Sequence, residues 1–189
     1  MEMRRLTIAD VTTEETGDGK RYELIQGELH VSNPTDVRHQ ATCSNILMEL
    51  HNWDGERSFG KCVSAPGIIY ADDEVVAPDI VWFNKGRKNL LYQPLAFDDD
   101  KLHESPDLIV EVLSDSLSDE YRDRNLKLLL YSRRDVQEYW IADWRAVTIE
   151  IYRQDEQELR LVQTLKSGDV LTSPLLPGFT CVIDRFFEL

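Results

Sequence analysis

Pro106-Asp107-Leu108-Ile109-Val110-Glu111-Val112-Leu113 is the stretch on which the reading of this chain turns. Its apolar residues do not alternate with polar ones, so it reads as a central strand over about 107–113, covered on both faces. One residue breaks the pattern. Glu111 is costly to bury as an anion unless it is paired or bound to a metal. It is therefore either a ligand, or a carboxyl paired with a structural Arg or Lys, or one kept neutral by a raised pKa.

A second carboxylate has a similar setting in Val75-Val76-Ala77-Pro78-Asp79-Ile80-Val81-Trp82-Phe83, a predicted strand over 76–83. A strand running through Asp79 points Asp79, Val81 and Phe83 to one face. A Pro-Asp turn is the alternative. Geometry chooses the partner. Asp107 and Glu111, four apart on one strand, are separated by roughly 13 Å, too far to share a cation. Neighbouring strands lie only about 4.8 Å apart, so Asp79 beside Glu111 could share one. Oxygen-only ligands suit Mg²⁺ or Mn²⁺ rather than zinc.

After Leu113 the chain enters a predicted helix over 118–134, with Ser118 as N-cap and Asp119 and Glu120 in the first turn. The nine residues from Ser118 to Lys127 rise about 13 Å. If that helix packs back along the sheet, Lys127 reaches the level of Glu111, where it could orient a water or steady a phosphate. The alternative is a solvent-facing lysine.

The rest of the chain frames these residues. Residues 6–15 read as a short helix with Thr7 and Asp10 as its capping box. Two alternating runs flank Gln26-Gly27 in Arg21 to Val31, a β-hairpin signal. Asn33-Pro34 precedes a helix over 36–52, whose apolar stripe is Cys43, Ile46, Leu47 and Leu50. His39 lies one turn before Cys43. A strand is predicted over 61–71 and a long polar loop over 84–106. Further strands fall near 137–143, 147–153 and 159–165, with a last edge strand from Gly178 to Ile183. With no repeat or linker, residues 1–189 read as one α/β (α+β) domain, a mixed β-sheet flanked by helices with additional β-hairpins. Tyr139, Trp140 and Trp144 read as core or interface residues. The runs after residue 137 leave an edge strand on which two copies could pair.

Composition bounds the function. Apolar content is 42%, enough for a core. No stretch approaches the roughly 20 apolar residues of a membrane span, and the N-terminus lacks a signal-peptide run. Cys43, Cys62 and Cys181 are odd in number and scattered, which fits a reducing cytoplasm. No histidine has a metal-ligand spacing such as H-E-x-x-H. A net charge of −14 argues against a general nucleic-acid coat but not against a local basic groove. Basic residues cluster at Lys85, Arg87 and Lys88, and at Arg122, Arg124, Lys127, Arg133 and Arg134. Those clusters read equally as solvated faces or as phosphate-facing groups.

Taken in order, Tyr22-Glu23-Leu24-Ile25-x-Gly27-Glu28, His39-Gln40, Pro78-Asp79-Ile80, Pro106 to Ser114, Lys127, Tyr131 and Glu138 to Asp143 resemble the Uma2 family, also called DUF820, over about residues 10–185. The resemblance implies a restriction-endonuclease-like fold and a DNA endonuclease of the PD-(D/E)xK class, hydrolysing phosphodiester bonds with Mg²⁺. In that pattern Asp79 is the first metal ligand and Glu111 the second. The pattern's lysine belongs two residues after the second acid, where this chain has Leu113. The resemblance implies that it has moved to the following helix, at Lys127. It also implies that Glu23 adds an acidic group near the metal and that His39 supports the site from its helix end. A catalytically silent binding or regulatory module on the same fold is the competing reading, motivated by the acidic surface and the displaced lysine.

Overall fold

A computed structural model of the chain describes residues 4–11, 19–55, 59–86 and 101–189. Helix α1 is a single turn, Ile8–Val11. The Thr7 N–H donates to Asp10 Oδ2 over 2.9 Å, as the expected capping pair requires. Residues 12–15 of that predicted helix lie outside the described residues. Strands β1 (Arg21–Ile25) and β2 (Glu28–Ser32) form the expected hairpin. Gln26 and Gly27 both take positive φ, 54° and 78°, the signature of a type I′ turn. Helix α2 (Val37–Asp54) starts where Asp36 caps it, its carboxylate accepting from the N–H groups of Arg38 and His39.

The strand expected over 61–71 is two strands, β3 (Gly60–Ser64) and β4 (Ile68–Ala71), in different sheets. The break falls at Ala65-Pro66-Gly67, where Ala65 has φ 47°. The strand expected over 76–83 is likewise divided into β5 (Glu74–Val76) and β6 (Ile80–Asn84). Pro78 lacks the N–H a ladder needs, and Asp79 occupies the bend instead of the strand interior. Of the loop predicted over 84–106, residues 87–100 lie outside the described residues.

Strand β7 (Leu108–Val112) is buried at all five positions. It pairs antiparallel with β6 and parallel with β8 (Glu138–Asp143). With β9 (Thr148–Asp155) and β10 (Glu158–Lys166) these form a six-stranded mixed sheet, ordered β10-β9-β8-β7-β6-β3. A second sheet, β2-β1-β5-β4, and the hairpin of β11 (Val170–Ser173) and β12 (Leu176–Val182) complete the strands.

Successive residues of β7 serve two cores, as a strand covered on both faces must. Leu108, Val110 and Val112 pack with Ile46 and Leu50 of α2 and with Phe179 and Phe186. Ile109 and Leu113 pack with Val81 and Phe83 of β6, and with Leu130 and Tyr131 on the following helix. Parity puts Glu111 on this second face. Tyr139 and Trp140 are core residues.

The predicted 118–134 helix runs as α3 (Leu117–Tyr121), a π-helical segment Arg122–Lys127, and α4 (Leu128–Arg133). Its N-cap is Ser116 instead of Ser118.

Candidate active site

Continuing the β6–β7 register by one residue sets Asp79 across from Glu111, since Ile80 pairs with Val110. Both carboxylates, with His39, line a cavity of about 240 Å³. Three predicted site residues are thus brought together at one opening. The other two, Lys127 and Glu23, are buried behind Glu111 and do not line the cavity.

Asp79 is held from three elements. Arg21 of β1 donates to Oδ1 over 2.9 Å, the Val112 N–H of β7 donates to Oδ2 over 2.9 Å, and His39 Nε2 lies 3.2 Å from Oδ2. Burial alone would raise its pKa. The hydrogen bond and charge of His39, the Arg21 guanidinium and the Val112 N–H outweigh burial and hold the carboxyl well below the ordinary range.

Glu111 differs. Lys127 Nζ lies 2.9 Å from its Oε1, and the Tyr131 hydroxyl donates to the same oxygen over 3.0 Å. Lys127 is fully buried, so the solvent-facing alternative does not hold. Its ammonium also lies 2.9 Å from Glu23 Oε1 and 3.4 Å from Asp123 Oδ1. One cation therefore serves three acids. Burial pushes Glu111 up to about 8. Lys127 pulls the other way, but the charges of Asp123, Asp79 and Glu23 add to the rise. Glu23, on the same ammonium, goes down despite its burial, because Lys127, Arg122 and the Ala77 N–H all favour its anion. Lys127 and Arg122 thus favour the anion at Glu23, while burial and the neighbouring acids favour the neutral form at Glu111 and, through burial and Glu23, at Asp123.

Sequence reasoning did not assign roles to Arg21, Arg122, Asp123 or Tyr131. Arg122, read within a basic run as a solvated or phosphate-facing group, is buried. Its Nε is 3.0 Å from Asp123 and 3.4 Å from Glu23, and its Nη1 bonds Ser32 and Asp119. One signal was available. Asp123, Lys127 and Tyr131 recur every four residues, so a lysine turned inward brings its neighbours with it.

A second glutamate makes the contrast. Glu138 is equally buried in the adjacent strand, yet both its oxygens are occupied. Oε1 accepts from Trp140 Nε1, and Oε2 accepts from Arg153 and Ser173. It is an internal tie. Glu111 takes both of its donors on one oxygen and borders an opening.

The mixed sheet, its flanking helices and the acidic pair at the end of β6 and β7 define a restriction-endonuclease-like fold. A crystal structure of "a putative nuclease belonging to DUF820" from Anabaena variabilis superposes with a TM-score of 0.73 at 17% identity, covering 96% of this chain and 97% of that one. The type IIG restriction endonuclease BpuSI aligns at TM-score 0.40 and 19% identity, over 79% of this chain and 15% of that one. The chain belongs to the Uma2 family, described as "Putative restriction endonuclease", which matches residues 6–184. No curated protein matches it. Among the described residues no helix is long and apolar enough to cross a membrane.

Proposed function

We propose that this chain is a Mg²⁺- or Mn²⁺-dependent DNA endonuclease of the PD-(D/E)xK type. The observation that carries the reading is the placement of Asp79 and Glu111 on one cavity wall, with Glu111 engaged on a single oxygen. The donor chemistry fits a hard divalent cation. Two carboxylates face the same space, as an oxygen-ligated divalent ion requires. Asp79 and Glu111 would hold that ion. When bound, it would supply an electrophile for a phosphate oxygen and a more acidic water.

The chain's own residues then divide the work. Arg21, part-exposed on the cavity wall, is the cation a phosphate would meet, while buried Arg122 stays tied to Asp123, Glu23 and Asp119. Lys127, sealed behind the wall, fixes the orientation of Glu111 and lowers the cost of its anion when the proton leaves. Glu23 anchors Lys127 in turn. His39 positions the Asp79 carboxylate from the first turn of α2. This assignment makes Lys127 and Glu23 positioning residues.

One observation favours the silent-module reading. Both oxygens of Asp79 already have protein partners, so a cation must displace or share one. Cleavage of supercoiled plasmid with Mg²⁺ or Mn²⁺ decides between them. Activity lost in both Asp79→Asn and Glu111→Gln supports the nuclease. Cleavage retained in the double variant sinks it, and no hydrolysis of any nucleic acid by wild type leaves the silent module. As part of the proposal, two copies would pair along β10, one of the sheet's two edge strands, to address two DNA strands. The free thiols Cys43, Cys62 and Cys181 suit a cytoplasmic setting.

A further inference from the structure

His39 and Cys43 stand one turn apart on the same side of α2. His39 Nδ1 lies 3.6 Å from Cys43 Sγ, while Nε2 lies 3.2 Å from Asp79 Oδ2. One ligand atom from each of the three residues lies within 4.8 Å of the other two. A thiol, an imidazole and a carboxylate in a row suggest a nucleophile with its base. Two observations oppose that. Cys43 does not line the cavity that Asp79 and Glu111 share. Burial, then the charges of Asp79 and Glu111, push its thiol far up, whereas a nucleophile needs it pushed down.

The three groups fit a different task. In a tetrahedral site with metal–sulfur and metal–nitrogen bonds of about 2.3 and 2.0 Å, neighbouring donors lie roughly 3.2–3.7 Å apart. The three donors, within 4.8 Å of one another, reach that spacing with an inward shift and a turn of the imidazole that presents one nitrogen. His39 and Asp79 both border the cavity, so a fourth, open position would face water there. A thiolate and a carboxylate balance a divalent charge, and Arg21 can stay on the other oxygen of Asp79.

We propose that His39, Cys43 and Asp79 form a second cation site, which takes thiophilic divalent ions such as Zn²⁺ or Co²⁺ in preference to Mg²⁺. Asp79 is common to this site and to the Asp79–Glu111 pair, so filling one withdraws a ligand from the other. The inference goes beyond the nuclease reading and stands whether or not DNA is cleaved.

The test is titration of Co²⁺ into the full chain, read by the near-ultraviolet sulfur-to-cobalt charge-transfer absorption. Wild type should develop the band and saturate near one ion per chain. Cys43→Ser should lose it, although Cys62 and Cys181 remain, while circular dichroism confirms the fold. Glu111→Gln should keep it. His39→Ala, which retains the thiol, should bind Co²⁺ more weakly. No band in wild type, an undiminished band in Cys43→Ser, or unchanged affinity in His39→Ala would each overturn the proposal. Mn²⁺ titration separates the two sites. Mn²⁺ binding insensitive to Glu111→Gln counts against the nuclease site alone and leaves the cobalt result as it is.

Discussion

Lys127 donates to Glu111 from behind the cavity wall, Nζ to Oε1 over 2.9 Å, with no exposure of the lysine at all. The pair lies inside a denser knot, because Glu23 and Asp123 share the same ammonium. Removing that charge leaves buried acids facing one another. Lys127→Met should cost about 3–5 kcal/mol, the range for a buried pair stripped of one partner. Urea unfolding at neutral pH measures it. A loss below about 1 kcal/mol would mean that the ammonium contributes little and that Arg122 alone carries the cluster.

Glu111 should make the protein less stable as pH rises. Its folded pKa, pushed up to about 8, lies above the unfolded value of 4.5. The folded state therefore binds the proton more tightly, and stability falls as the unfolded chain begins to release it. The loss runs from about pH 4.5 to about 8, at up to roughly 1.4 kcal/mol per unit, and levels off above. Glu111→Gln should remove this slope and stabilise the metal-free protein at pH 8. Melting curves of both proteins across that window check it. A variant less stable than wild type at pH 8 would make Glu111 a structural ion-pair partner instead.

Glu138→Gln should behave oppositely. Its carboxylate meets Trp140, Arg153 and Ser173 at hydrogen-bond distance, so the amide would set one NH₂ against existing donors. A loss of about 1–3 kcal/mol is expected in chemical denaturation, as for a buried polar group left mismatched. Little change would mean that the tie has slack.

Gly27→Ala tests the hairpin that places Glu23. At φ 78° an L side chain is strained, and an added Cβ would meet Arg5 Cβ at 2.7 Å and Arg5 Cα at 3.2 Å. A loss of roughly 1–3 kcal/mol is expected from backbone strain at this position. Thermal unfolding reads it, and an unchanged midpoint would show that Arg5 moves aside freely.

The central strand was legible because burial on both faces leaves a run without alternation, and a single Glu inside it stands out. Strand spacing made Asp79 a candidate partner, with a Pro-Asp turn as the alternative, and the family resemblance assigned it. The breaks at Ala65-Pro66-Gly67 and Ala77-Pro78 were also written in the sequence, as turn chemistry that the apolar runs on either side obscured. That misreading put Asp79 in a strand interior. It sits in a bend, where one carboxylate meets β1, β7 and α2 together. The depth of Lys127 was not legible. Reach along a helix follows from rise per residue, but which side a residue faces depends on the local winding. No local pattern announces the π-helical segment Arg122–Lys127. The same segment turned Arg122 and Asp123 inward from what read as a solvated basic run.

That widened turn ties the site to a count of residues as well as to their kinds. A π turn amounts to one extra residue threaded into an α-helix. Losing one residue between 122 and 127 would let the helix close to regular pitch with its flanks nearly in register, because a wider turn rotates less per residue than the roughly 100° of an α-helix. A relative with such a deletion would keep Tyr131 on the inner face while the residues of the turn itself, Arg122 to Lys127, changed places. Among related chains, an alignment gap at this turn would then mark a rebuilt charge cluster behind the acidic pair instead of a lost fold.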